Sequence, residues 1–211
     1  MSKLFTVPSD QWRPVKAWRY IASMIKFRLY GVTYGSRLRA SRIILLNRGR
    51  ISLGDNVTLG SYPDGTAYTC SLRTYYPEAR IEIGDHCLLN GAVLHANCHI
   101  TMGNRVLLGP GVILVDNDSH PPVSSDERYG GRPPEAPIHL KDRVWIGMRS
   151  TVMKGVTVGE GTIVAAGSVV TKDLPANVIA AGIPARALKA VPKDLRELQA
   201  LKQSVTGSAA N

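Results

Sequence analysis

The strongest pattern in the chain is a repeat of six residues that runs from Ile138 to Leu174. Branched apolar side chains occupy every sixth position, at Leu140, Ile146, Val152, Val158, Val164 and Val170. Small or β-branched side chains follow four positions later, at Val144, Ser150, Val156, Thr162 and Ser168. A helix repeats its buried face about every 3.6 residues and a strand about every two, so a sustained period of six predicts short strands joined by regular corners.

Glycines in the same stretch favour such corners. They stand at Gly147, Gly155, Gly159, Gly161 and Gly167. A coil with flat sides needs residues of positive φ where it turns, and glycine adopts that conformation without steric cost. Because β-branched residues suit the flat sides, the whole pattern is typical of a β-solenoid.

The segment RVWIGMRSTVMKGVTVGEGTIVAAGSVVTKDLPANVIAAGIPARALK, from Arg143 to Lys189, resembles the closing segment of the hexapeptide-repeat acyltransferases. It is most similar to the galactoside, maltose and nodulation-type sugar O-acetyltransferases, and the resemblance covers about residues 51–191. The resemblance implies an all-β solenoid, a left-handed parallel β-helix with three hexads per triangular coil. It also implies a homotrimer with active sites between subunits, which transfers acetyl groups from acetyl-CoA to a sugar hydroxyl in surface polysaccharide or glycan biosynthesis.

A second period appears in residues 9–30, where apolar residues recur at spacings of three and four and predict an amphipathic helix. Ser9 or Asp10 is the expected N-cap, and Gly31 or Gly35 the expected end. Two interpretations remain open. The helix either caps the open end of the solenoid or lies, through its tryptophans and cations, on an anionic membrane surface.

The repeat divides the chain into three parts. We expect a basic N-terminal helical segment at 1–50, a β-helix at 51–175 with excursions at about 60–80 and 115–137, and a C-terminal extension at 176–211. That extension should hold a short helix from Pro192 and a disordered tail. Inside the β-helix, the count of six places His95 in an inward slot, with a slip of one residue before Met102.

The charge of the chain is concentrated at one end. Of the formal net charge of +10, residues 1–50 supply all, with eleven Lys and Arg against Asp10, and the remainder is balanced. The solenoid itself therefore has no basic surface of the kind that binds nucleic acid, and we expect no nucleic-acid partner.

Cysteine usage indicates a reducing compartment, because the three cysteines are odd in number and lack a disulfide-framework spacing. No run of 18 apolar residues is present, so we expect a cytoplasmic protein, peripheral at the inner face of the membrane under the second interpretation of the helix. Cys87 falls in a core slot of the repeat. Since no paired ligand spacing accompanies it, we expect no metal site.

The candidate base for acetyl transfer is His120, whose neutral imidazole can accept a proton near pH 7. The motif DNDSHP resembles the turn in which similar acetyltransferases carry their catalytic histidine. Asp116 or Asp118 could orient the ring or serve only the turn. Asn90 matches the asparagine that such enzymes place beside the acyl or acceptor group, and it could also be a corner residue.

The resemblance also assigns a coenzyme A site in the closing coils. Small residues at Gly147, Ala165 and Ala166 leave room for a pantetheine arm, and Met148 stands where relatives carry a small polar residue. Cofactor-contacting positions of the family coincide with Thr171, Lys172, Arg186 and Lys189. Two alternatives remain: an N-acetyltransferase of amino sugars, and a non-enzymatic or metal-binding solenoid of the carbonic anhydrase type.

Overall fold

The computed structural model describes residues 14–40, 43–60, 68–194 and 197, and for residues 14–20 it describes the backbone alone. The described residues form one α-helix, α1 (Pro14–Leu29), and twenty strands. The chain visits three sheets in turn and returns to each one coil later, so that neighbouring strands are parallel. The fold is a left-handed parallel β-helix, as predicted.

Strands are numbered β1 to β20 in chain order, and each sheet takes about one strand from every coil. Sheet A holds β1 (Thr33–Tyr34), β4 (Arg50–Leu53), β7 (Arg80–Ile83), β10 (His99–Met102), β13 (Ile138–Leu140) and β16 (Thr157–Val158). Sheet B holds β2 (Arg39–Ala40), β5 (Thr58–Gly60), β8 (Leu88–Asn90), β11 (Leu107–Leu108), β14 (Trp145–Ile146), β17 (Ile163–Val164), β19 (Val178–Gly182) and β20 (Ala185–Ala190). Sheet C holds β3 (Ile43–Asn47), β6 (Cys70–Thr74), β9 (Val93–Ala96), β12 (Ile113–Val115), β15 (Thr151–Met153) and β18 (Val169–Val170).

The core is a stack of the side chains that the period of six predicted. Every residue of both predicted rows between Leu140 and Val170 is buried. Val152 pairs in register with Leu114 of the coil before and with Val170, 18 residues later, of the coil after. Branched side chains therefore pile on one another along the axis, which explains why the pattern is so regular in sequence.

The turns from sheet A to sheet B, called the A–B corners, show how the coils register. Asp85 Oδ1 accepts a hydrogen bond from the amide of Asp55 at 2.8 Å, and Asn104 Oδ1 accepts one from the amide of Asp85 at 2.8 Å. Asp142 Oδ1 continues the series to the amide of Asn104 at 2.9 Å. Each corner thus satisfies backbone donors of the coil before it, and the chain turns there through a residue of positive φ such as Arg105, at 57°.

Helix α1 caps the first coil, because Phe27 is fully buried and Met24 packs against the core. Its other face carries Ile21, Ile25 and Leu29, which are 47%, 52% and 79% exposed. The predicted N-cap and Trp12 lie outside the described residues. Within the described chain, no helix combines the length and apolarity that crossing a bilayer would require.

The β-helix begins earlier than predicted. Strands β1 and β2 pair with β4 and β5, so the first coil starts at Thr33 and not at Ile51. Both strands have two residues. Val32 and Leu38 are buried six residues apart and continue the apolar period, but their exposed neighbours Thr33, Tyr34 and Arg39 obscure it in the sequence. The excursion expected at 60–80 is also shorter, because β6 returns to sheet C with Cys70 and Leu72 buried.

The predicted inward position of His95 is wrong. Leu94 is the fully buried residue, and it pairs with Leu72 on one side and Leu114 on the other. The turn after Asn90 is one residue shorter than a regular hexad, so His95 faces outward. Counting by six detected only the net slip of one residue before Met102, because the step from Leu89 to Leu94 is one residue shorter, and the step from Leu94 to Met102 two residues longer, than a regular hexad.

The C-terminal part of the β-helix also extends further than predicted. Strand β19 pairs in parallel with β17, and β20 pairs with β19 in antiparallel orientation. Residues 178–190 therefore close sheet B with a hairpin instead of leaving the fold at 176. The predicted helix after Pro192 and the tail lie almost wholly outside the described residues.

We expect Leu94→Ala to lower the free energy of unfolding by about 2–5 kcal/mol, because it leaves a cavity between Leu72 and Leu114. His95→Ala removes an outward side chain and should cost about 1 kcal/mol. Urea unfolding followed by circular dichroism measures both. Equal losses for the two variants would mean that both side chains contribute to the core.

Candidate active site

A long loop, residues 116–137, leaves sheet C at the C–A corner, the turn from sheet C to sheet A. Its two ends meet through the bridge between Asn117 and Glu135. Arg132 holds the loop against the coil below, since its guanidinium pairs with Glu78 and Glu135 and lies 4.3 Å from the ring centre of Tyr76. The loop, which includes a 3-10 helix at Asp126–Tyr129, is therefore anchored at its base.

His120 lies near the start of this loop with an exposed ring. Its Nδ1 atom is 3.1 Å from the carbonyl oxygen of Arg128. A carbonyl can only accept, so Nδ1 carries the proton of the neutral ring and Nε2 keeps its lone pair. The ring is thereby held in the tautomer that can accept a proton at Nε2.

Neither predicted carboxylate contacts this ring in the described structure. Asp116 is fully buried and accepts hydrogen bonds from the amides of Asn97, at 2.7 Å, and Cys98, at 2.9 Å. Asp118 pairs with Lys154. The first carboxylate ties the loop to the preceding coil, and the orienting contact comes from a backbone carbonyl, which residue types in a sequence cannot reveal.

Beside His120 the loop encloses a cleft of about 430 Å³. Its lining consists of Pro121, Val123, Glu127, Gly130 and Gly131. The cleft is open and begins at Pro121, the residue that follows His120, while His120 itself is not part of its lining.

Asn90 is not close to His120 along the fold. It ends β8 at the B–C corner, the turn from sheet B to sheet C, where it pairs with Gly60. His120 follows the opposite edge of sheet C. Within one chain the structure therefore separates these two predicted residues by the width of a sheet.

Four of the predicted cofactor residues do meet. Gly147, Met148, Ala165 and Ala166 form the B–C corners of two neighbouring coils. A Cβ on Gly147 would lie 2.5 Å from the amide nitrogen of Ala166, so only glycine fits there. The amides of Met148 and Ala166 have no hydrogen-bond acceptor among the described residues and can donate to a ligand.

The other four are more dispersed. Arg186 lies near the tip of the β19–β20 hairpin, which the hydrogen bond from the Gly182 amide to Ser168 Oγ, 3.2 Å, fastens to the B–C corner. Lys189 pairs with Ile179 at the far end of the hairpin. Thr171 and Lys172 follow β18, at the C–A corner.

The sequence patterns missed a polar cluster on the outer face of sheet C, formed by Ser71, Arg73, Tyr75 and His95. Arg73 and His95 are partners in register on β6 and β9. The signal that could have found it is the alternation of CSLRT at residues 70–74, which the turn residues around it conceal by predicting an excursion.

Three comparisons agree with this architecture. The family model for bacterial transferase hexapeptide (six repeats) matches residues 137–172. The galactoside O-acetyltransferase of Escherichia coli (strain K12) is 39% identical over 92 residues, which are 44% of each chain. The chain thus spans about half the length of the curated relatives it matches.

Two solved structures extend the likeness over most of the chain. The hexapeptide-repeat containing acetyltransferase from Vibrio cholerae has a TM-score of 0.54 and 27% identity, over 87% of this chain and 84% of that one. A mutant of AntD, an N-acyltransferase from Bacillus cereus in complex with dTDP and coenzyme A, has a TM-score of 0.63 over 86% and 96% of the chains. At 21% identity, AntD shows the fold alone. The chain thus carries hexapeptide repeats at residues 137–172 and folds as a left-handed parallel β-helix, and in both respects it is similar to these acyltransferases.

Proposed function

We propose that this protein is an O-acetyltransferase that moves an acetyl group from acetyl-CoA to a sugar hydroxyl, with His120 as general base. The observation that carries the proposal is the bond between His120 Nδ1 and the Arg128 carbonyl, because it leaves Nε2 free to accept a proton. The name of the Escherichia coli relative supports a sugar acceptor and transfer to oxygen. A place in surface glycan synthesis follows from the same proposal.

The donor supplies an acetyl thioester, and the protein supplies the proton relay. His120 Nε2 takes the proton of the acceptor hydroxyl as its oxygen forms the bond to the acetyl carbon. The imidazolium then returns that proton to the sulfur as the carbon–sulfur bond breaks, so the protein ends unchanged. The Arg128 carbonyl accepts from Nδ1 throughout and also stabilises the charged ring.

The B–C corner fits an extended donor such as coenzyme A. Met148 and Ala166 are exposed residues on adjacent coils, and their amides donate to no acceptor among the described residues. Arg186 is exposed beside this corner, where its charge suits the phosphates. Lys172 and Lys189 lie farther from this corner, and they would contact coenzyme A only if its nucleotide end extends across the sheet.

The separation of the two groups across sheet C favours a second copy of the chain. Strand β15 has three residues, which span about 10 Å. A column of apolar or half-buried side chains on the outer face of sheet B is available for contact: Leu88, Leu107, Trp145, Ile163 and Ile179. We propose a homotrimer in which His120 of one copy faces the B–C corner of its neighbour.

We expect His120→Ala to lower acetyl transfer by about 10²- to 10⁴-fold while the fold is retained, because no core side chain depends on the loop histidine. The rate is measured with a galactoside as acceptor, by monitoring the free thiol of the coenzyme A that the transfer releases. His86→Asn is the matched control, since His86 is an exposed histidine at an A–B corner where asparagine also accepts positive φ. Retention of more than a tenth of the wild-type turnover by His120→Ala would refute the assignment.

We expect Ala166→Glu to raise KM for acetyl-CoA by at least about tenfold, because a carboxylate would occupy the corner and repel the phosphates. Ala176→Glu places the same charge on an exposed alanine of the A–B corner and should leave KM near wild type. Initial rates at varied acetyl-CoA distinguish the two. An equal rise in KM for acetyl-CoA in both variants would indicate a general effect of charge and would contradict a cofactor site at the B–C corner.

The exposed face of α1 completes the proposal. Beside the row Ile21, Ile25 and Leu29, residues 14–40 contain six Lys and Arg and no Asp or Glu. This combination of an apolar row and unbalanced positive charge suits the surface of an anionic bilayer. We propose that the helix caps the coil with one face and rests on a membrane with the other, which would bring the enzyme close to lipid-linked acceptors.

We expect weak binding to vesicles that contain phosphatidylglycerol, no binding to phosphatidylcholine alone, and loss of binding at high salt, because salt screens each cation's contribution of about 1 kcal/mol. Co-sedimentation measures this. Ile25→Glu should weaken binding, whereas Leu188→Glu, at a leucine of β20 that is more exposed than Ile25, should not. If the wild-type protein binds neither kind of vesicle, α1 serves only as a cap of the first coil.

A further inference from the structure

The polar cluster on the outer face of sheet C has features of a recognition site for an anion. We infer that the acceptor carries a carboxylate or phosphate group, which Arg73 binds while an acceptor hydroxyl reaches His120. This inference rests on the proposed acetyl transfer and deepens it, since it gives the acceptor a charge. The galactoside in the names of the curated relatives carries no such charge.

Arg73 is held in place, and no carboxylate in the described part of the chain neutralises it. Its Nε–H donates to Ser71 Oγ at 3.1 Å, which fixes the plane of the guanidinium on the sheet. None of the described Asp and Glu side chains pairs with it, and its two terminal nitrogens have no partner among the described residues. A half-buried guanidinium that is fixed through Nε keeps the edge formed by its two terminal nitrogens free, and this edge can bind a carboxylate or phosphate in a bidentate manner.

His95 supplies a neutral donor beside this cation. Its Nε2 atom is 3.4 Å from Ser71 Oγ, and Tyr75 meets its ring edge to face at 5.8 Å. Burial, and secondarily the charge of Arg73, lowers the pKa of His95, so the ring is neutral near pH 7. The Ser71 hydroxyl, which accepts from Arg73, has its own proton for Nε2, so His95 keeps a donor at Nδ1 for a ligand.

The cluster and the catalytic loop border the same edge of sheet C. Arg73, His95, Val115 and Met153 follow one another in register on four neighbouring strands. The loop leaves directly after Val115, and the Asp116 amide donates to the His95 carbonyl at 3.4 Å. At about 4.8 Å per strand, Arg73 lies about 10 Å from the point where the loop begins. A glycan of two sugar rings can therefore place its anion at Arg73 and a hydroxyl near His120.

The test compares three acceptors that differ at one carbon: cellobiose, cellobiouronic acid and cellobiose 6′-phosphate. Isothermal titration with coenzyme A present measures binding, and thiol release measures kcat/KM. We expect at least one anionic acceptor to exceed cellobiose about tenfold in both measures, and whichever does so identifies the anion as carboxylate or phosphate. In Arg73→Gln the ratio of the anionic acceptor to cellobiose, in affinity and in kcat/KM, should fall to about one. Arg80 is an exposed arginine on sheet A, and in Arg80→Gln the same ratio should persist.

Binding and turnover separate this inference from the proposed function. If no acceptor is acetylated but Arg73→Gln removes tighter binding of an anionic acceptor, the recognition site stands and the reaction does not. If all three acceptors are bound and acetylated equally, the recognition site is refuted and acetyl transfer stands. An equal loss of the ratio in Arg73→Gln and Arg80→Gln would also refute it, because general positive charge would then explain the preference.

Discussion

The hydrogen bonds between successive coils are the constraint on which the rest of this structure depends. Every strand before β20 pairs in parallel with its neighbours one coil before and after, and the ladder of Asp and Asn side chains at the A–B corners repeats the same coupling between turns. A residue's neighbours in space are therefore set by the length of one coil. An insertion whose two ends lie close together, such as the loop at 116–137, leaves the stacking of the coils intact.

This arrangement explains how a rigid stack can carry a versatile site. The coil fixes Gly147 and Ala166 by backbone contacts alone, where a Cβ at the first position would collide with the second. The loop fixes His120 differently, through one carbonyl and through Arg132 at its base. Under the proposed function, the repeat itself binds the donor, whereas the loop and the outward side chains of sheet C select the acceptor.

Much of the fold was predictable because the core is periodic. The rows from Leu140 to Val170 are all buried, and Cys87 is a buried core residue whose thiol pKa burial raises to about 11. The first coil was not predicted because its strands have two residues and the buried pair Val32 and Leu38 has exposed neighbours that hide the period. The turn after Asn90 was not predicted because a shortened corner breaks the period without breaking the pairing. Local sequence could not identify the partner of His120, because every residue has a carbonyl and only the folded loop selects that of Arg128.

The hairpin of β19 and β20 has a consequence for the ends of the molecule. A parallel stack presents at each end an edge onto which another coil, or another molecule, could add. At one end α1 covers the first coil, and at the other β20 runs against the direction of every strand before it in sheet B. With Arg186 and Lys189 exposed along that reversed strand, a further coil would meet mismatched polarity and like charges. The fold therefore limits its own growth into fibres.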